Sequence, residues 1–210
     1  MTIQLKPLAL AGALALVGAT SASAALLDFT DSSVTFPMGS ISGISYSVTG
    51  FPQAPKLTVG APGPTGVLVG DNDGIGIKND EITFPGEYVV VTFSKPVTIT
   101  AAYFLDLFFK ERGATISDTE EAKITIGTVP GVVAASLLAQ TSDQIGYGAL
   151  TGLSLKGTTF TFFAGPGEDD NSGDYALAAL DVAAIPLPAG ALLIGTAFGA
   201  FGALRRRKRA

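Results

Sequence analysis

Residues 87–108 read EYVVVTFSKPVTITAAYFLDLF. Val89, Val91 and Phe93 fall on one side of an extended chain. Val97, Ile99, Ala101, Tyr103 and Leu105 then repeat the pattern, with Thr98 and Thr100 on the other side. A side-chain period of two is the mark of a β-strand, because successive residues of an extended backbone point to opposite faces. Ser94-Lys95-Pro96 interrupts the alternation and is predicted to be a tight connection, so the two halves are expected to form a hairpin. The same period marks GISYSVTGF (43–51), AKITIG (122–127), GTTFTFFAG (157–165) and DYALAALDVAAI (174–185). VVAASLLAQ (132–140) suits a strand or a short helix equally, and GFPQAPKLTVGAPGPTG (50–66) reads as a Pro/Gly-rich loop inside the domain. No amphipathic helical period occurs outside the two ends of the chain. Short strands separated by Gly and Pro turns predict an all-β domain over residues 25–184, an antiparallel β-sandwich of jelly-roll type.

Both ends of the 210-residue chain differ from this body. At the N-terminus Lys6 precedes the apolar run LALAGALALVGA (8–19), and SASA then places Ala22 and Ala24 at the small-residue positions of a signal-peptidase site. Residues 1–24 are therefore predicted to be a cleaved signal peptide, since the apolar run is too short for a spanning helix of about 20 residues. At the other end no charged residue occurs from Val182 to Leu204, and Arg205, Arg206, Arg207, Lys208 and Arg209 follow. The proline-free part, 189–204, spans roughly 24 Å as a helix, and snorkelling arginines extend its reach toward the bilayer thickness. The basic run would hold the C-terminus in the cytoplasm by the positive-inside rule, and Lys6 marks the same side for the N-terminus. The middle of the chain is thus expected to be exported, with a C-terminal transmembrane helix as a tether.

Residues 185–210 hold the most specific pattern in the chain. A short proline motif, Ile185-Pro186-Leu187-Pro188-Ala189, leads into the apolar segment and then the arginine-rich cluster. This order resembles the PEP-CTERM class of bacterial sorting signals and, more narrowly, its VPLPA-CTERM variant, with Ile185 where that variant has valine. The Pro-Glu-Pro tripeptide is replaced here by Pro186-Leu187-Pro188. The resemblance implies export across the inner membrane of a Gram-negative bacterium and processing by an exosortase-like membrane peptidase. It also implies a surface or extracellular location linked to exopolysaccharide and biofilm. The body, from GIGIKNDEI through the strand pair to DYALAALDVAAIPLPA, is similar to the β-rich bodies that carry such tails, which have no assigned activity.

Composition narrows the chemistry. The chain has no His, Cys or Trp, which excludes a Ser-His-Asp triad, a cysteine nucleophile, a His/Cys zinc site and any disulfide. All 18 acidic residues but only seven of the 13 basic ones lie in 25–184, which leaves that region near −11 and argues against nucleic acid as a partner. Two acidic loops remain: DNDGIGIKNDE, with Asp71, Asp73, Asp80 and Glu81, and GEDDNSGD, with Glu168, Asp169, Asp170 and Asp174. Clustered carboxylates without softer donors suit Ca²⁺, so either loop is a candidate calcium site, against the plainer reading of solvated acidic turns. Neither loop is an EF-hand, because Ile75 and Ile82 occupy two ligand positions counted from Asp71. Asp106 is expected to end a strand or support a neighbouring loop rather than to do acid–base work. The sequence therefore predicts a non-enzymatic exported surface or matrix protein. The alternatives are a secreted carbohydrate-active hydrolase and a permanently membrane-anchored protein.

Overall fold

The computed structural model describes residues 23–58, 60, 65–78, 81–109, 119–140, 145–166 and 173–185. They fall within one unit, Ala22–Ile185. The signal segment up to Ala22, the tail from Pro186 with its predicted helix, and the basic cluster at 205–209 lie outside them.

Ten strands make up the described structure: β1 (Ala25–Asp28), β2 (Met38–Ile41), β3 (Ile44–Phe51), β4 (Lys56–Leu57), β5 (Ile75–Gly76), β6 (Tyr88–Leu105), β7 (Glu121–Ile126), β8 (Val133–Leu138), β9 (Gly148–Ala164) and β10 (Ala176–Ala184). Among the described residues there is no helix, so the fold is all-β, and within 132–140 the segment Val133–Leu138 is a strand. Every pairing is antiparallel, and hydrogen bonds join the strands into one open sheet in the order β4-β5-β10-β6-β9-β7-β8. β1 pairs β10, and β3 joins β2 to β6.

The predicted hairpin at Ser94-Lys95-Pro96 is not formed; β6 runs unbroken through it for 18 residues. Both halves of β6 pair with β9 rather than with each other. Thr92 lies opposite Thr159 and Val97 opposite Gly157, so Phe93–Pro96 bulge against the single residue Thr158. A bulge is a tolerated site for proline inside a sheet, because the residues there leave the ladder. Farther along, Thr100 faces the three residues Gly152–Ser154, a compensating irregularity on β9. These two irregular stretches let β6 and β9 belong to two parts of the sheet. The first half of β6 lies between β3 and β9, and its second half between β10 and β9.

Both parts send side chains into one main core. Ile44, Tyr46, Val48, Val89, Val91, Phe93, Phe160 and Phe162 come from the first. Leu27, Ile75, Val97, Ile99, Phe104, Leu177 and Val182 come from the second. Edge-on ring contacts cross this core, Phe29 with Tyr46 at 6.3 Å and Phe93 with Phe160 at 6.1 Å, in the geometry that aromatic quadrupoles favour. A smaller cluster lies on the opposite face of β6 and β10, where Ala101, Tyr103, Leu105, Ala178 and Ala179 pack beneath Leu68, Ile145 and Tyr147. β10 is therefore covered on both faces, and only its last residues escape burial. Tyr103 donates its hydroxyl to Asp181 Oδ2 at 3.1 Å in this second layer. Burial, with the neighbouring Asp181 charge, raises that hydroxyl to about 12.

Tyr175 is fully buried, and its ring meets Phe104 edge-on at 5.2 Å. Among the described residues its hydroxyl has no hydrogen-bond partner. A buried donor left unpaired costs about 1–3 kcal/mol of desolvation. Tyr175→Phe keeps the ring and removes the orphan group, so the variant is expected to unfold at higher denaturant concentration, with a gain of about 1 kcal/mol. A lower midpoint would mean that the hydroxyl is satisfied in solution.

Candidate functional site

The acidic residues singled out in the sequence separate into three groups. Asp71 is exposed, but its carboxylate is engaged: Oδ2 accepts from the Ser32 N–H at 3.2 Å and from the Ser32 hydroxyl at 2.6 Å. Those two bonds hold Asp71 below the usual carboxylate range. They belong to a seam that fastens the end of β1 to residues 69–72. Asp28 Oδ1 accepts from the Thr30 N–H and hydroxyl, and Asp28 Oδ2 accepts from the Val69 N–H at 2.9 Å. Thr30 Oγ1 accepts from the Gly70 N–H at 2.9 Å, and Thr30 O accepts from the Asp71 and Asn72 N–H groups. Asp73 packs its carboxylate directly on Gly60, where even a Cβ would have no room. In this first group the loop closes onto the fold.

The second group converges. The N–H of Ile82 donates to the Tyr175 carbonyl at 2.8 Å, and that of Phe84 to the Gly173 carbonyl at 2.9 Å. This short run sets Glu81, from the end of the first acidic loop, beside Asp174, from the end of the second. Both approach Glu120, which is 3% exposed and enters β7 in phase with the buried residues Ala122 and Ile124. Three backbone bonds fix Glu120. Its N–H donates to Phe108 O at 3.2 Å, its carbonyl accepts from the Ala139 N–H at 2.9 Å, and its Oε2 accepts from the Phe108 N–H at 2.6 Å. Asp174 hydrogen-bonds its side chain. Burial first, then the Asp174 hydrogen bond and the charges of Asp174 and Glu81, lift the Glu120 carboxyl far above its ordinary 4.5, against the opposing pull of the Phe108 N–H. A carboxyl so placed holds a proton at neutral pH and shares it with its neighbour.

The third group, Asp80, Glu168, Asp169 and Asp170, lies outside the described residues. Among the described residues no set of three or more acidic side chains is arranged to hold a metal ion. Glu120 is the residue that the sequence analysis missed. Its signal was the strand period itself: residues 120, 122 and 124 share one face, so extending AKITIG back by two residues places a carboxyl on the core side.

The two ends of the domain adjoin. Ala24 is exposed just before β1, and Ile185, at 37% exposure, follows β10 directly. Ala25 pairs with Val182, so the chain enters and leaves at the same end of one strand pair. Ala22 and the sorting residues Pro186, Leu187, Pro188 and Ala189 lie outside the described residues. Among the described residues no helix is long and apolar enough to cross a membrane. Asp106 follows the last residue of β6 with φ of 55°, a left-handed turn that ends the strand. Comparison of the chain with protein-family models, with curated proteins and with solved structures gives no match.

Proposed function

We propose that the chain is an exported, non-enzymatic protein of a Gram-negative cell surface or extracellular matrix, sorted through its C-terminal tail and associated with exopolysaccharide. The observation that carries this reading is the tail itself, Ile185-Pro186-Leu187-Pro188-Ala189 followed by an apolar segment and Arg205–Arg209, combined with a signal-like N-terminus ending at Ala24. The fold supports it in two ways. β1 begins at Ala25 and β10 ends at Ala184, so cleavage after Ala24 and processing beyond Ile185 would both leave every strand whole. The pairing of Ala25 with Val182 brings both exits to one end, as a domain tethered at both termini during export requires. In this reading the two parts of the sheet stack as the layers of a sandwich, a packing supported by the single core to which both contribute. The missing His and Cys favour a binding or matrix role over catalysis. Calcium binding by the acidic loops is part of the proposal and rests on their clustered carboxylates in sequence, Asp80, Glu168, Asp169 and Asp170 among them.

Mass spectrometry of the mature protein from its native host tests the sorting step. The expected product begins at Ala25 and ends within 185–189. Retention of 189–210 would replace processing with a plain membrane anchor, and polysaccharide cleavage by the purified product would favour the hydrolase reading.

A further inference from the structure

We infer that β8 is an assembly edge, and that a second copy of this chain pairs with it, β8 to β8 and antiparallel. Among the described residues β7 alone pairs with β8, so its far side is a free edge. The hydrogen-bond phase shows which groups face outward. Ala139 donates its N–H to Glu120 O on the β7 side, and the pairs Leu137 with Ala122 and Ala135 with Ile124 continue that phase. In an antiparallel ladder the alternate residues, Ser136 and Leu138, therefore direct their N–H and C=O groups away from β7. The Leu138 carbonyl is capped by the Gln140 amide at 3.0 Å, which confirms its outward direction.

Natural sheet edges are protected by charge, proline, bulges or brevity; the six residues of this one carry neither charge nor proline, and its one register break, at Ala134, leaves Ala135–Leu138 regular. Val133 and Leu138 are exposed apolar residues of the strand, and Ile126, Val129 and Val132 extend the apolar surface around the β7–β8 turn, with Val132 93% exposed.

Charge selects the occupant. From Ile124 to Ser142 the sequence contains no charged residue, whereas region 25–184 as a whole is near −11. Two copies repel across most of their surfaces, and this neutral strip is where they can meet without opposing carboxylates. The strip is also self-complementary. Pairing the outward-facing residues places Ser136 opposite Ser136, on the near side of the register break at Ala134, in an isologous contact that closes at two copies. This inference does not depend on the export reading.

The full chain has no cysteine, so a single Ser136→Cys variant reports the contact directly. Directly opposed residues of a hydrogen-bonded pair have Cα atoms about 5.5 Å apart, within the span of a disulfide, which forms when an added copper oxidant takes up the two electrons and the two thiol protons are released. The expected result is a reducible species of twice the chain mass, at least about tenfold more abundant than from Lys95→Cys, an exposed position on the β6 bulge. Adding Ala134→Lys to the Ser136→Cys chain inserts charge into the seam and should return the yield to the control level. Equal yields from the Ser136 and Lys95 variants, or a cross-link that survives Ala134→Lys, would overturn the inference. A cross-linked mass other than two copies would overturn the choice of partner.

Discussion

Glu120→Gln is expected to raise the stability of the chain at mildly alkaline pH and to flatten its dependence on pH. The buried carboxyl keeps its proton in the folded state because burial, and then Asp174 and Glu81, disfavour its charge. The unfolded chain releases that proton near the ordinary value of 4.5. The folded state therefore binds more protons above that point, and stability falls as pH rises. The contribution is complete below 4.5 and is lost progressively from there through neutral pH toward the raised folded value. One retained proton gives a slope of up to about 1.4 kcal/mol per pH unit, reduced by whatever the neighbouring carboxylates share.

Glutamine reproduces the protonated state without titrating. Its carbonyl can accept from the Phe108 N–H, as Glu120 Oε2 does at 2.6 Å, and its amide can donate to Asp174. Urea unfolding with chelator present should give nearly equal stabilities for the two chains at about pH 4.5, and an advantage to the variant of at least about 1 kcal/mol near pH 8. Parallel slopes for both chains would show that Glu120 ionises without cost. Calcium gives the experiment a second arm. With Glu120 protonated and no described trio of carboxylates arranged for a metal, Ca²⁺ held by the acidic loops should raise the stability of both chains alike when millimolar Ca²⁺ replaces the chelator. An unchanged curve would remove calcium from the proposal.

Gly74→Ala is expected to cost about 3 kcal/mol, the sum of backbone strain and overpacking. Gly74 has φ of +117°, a conformation that side chains resist. A Cβ there would collide with the Leu177 carbonyl and lie 2.8 Å from Ala178 Cα. The obstacle is the backbone of β10, buried on both faces, so no side chain can swing aside. The Gly74 carbonyl also accepts from the Thr58 N–H at 2.9 Å, so a shift of this residue would disturb the β4–β5 edge as well. Far-ultraviolet circular dichroism should show the sheet retained, with the thermal midpoint lowered by several degrees. A midpoint within a degree of wild type would contradict the close approach of Gly74 to the β10 backbone.

The strand period of two made much of the fold legible. β3, β7, β10 and the second half of β9 coincide with stretches whose alternation is visible in sequence. β6 was misread although its signal was present. The inward residues Val89, Val91 and Phe93 and then Val97 and Ile99 all occupy odd positions, so the phase passes unchanged through Ser94-Lys95-Pro96. The phase does break farther on, at the irregularity beside Thr100: Val97 and Ile99 face the main core with Ala102 and Phe104, whereas Ala101, Tyr103 and Leu105, expected on the same face, turn to the smaller cluster. The short strands β4 and β5 carried no period to read, because two residues define none.

The site divides along the same line. Composition excluded His and Cys chemistry, and residue order gathered eight of the 18 acidic residues into two loops. Residue order could not show that Asp71 would be tied to Ser32, 39 positions earlier, or that Glu81 and Asp174 would both approach Glu120. Those meetings depend on the run that sets Ile82 and Phe84 against Tyr175 and Gly173, and on β7 pairing with β9. Local alternation is written into neighbouring residues because it follows from backbone geometry. Contacts between distant carboxylates are decided only when strand pairing fixes the register, and burial then determines which of them keeps a proton.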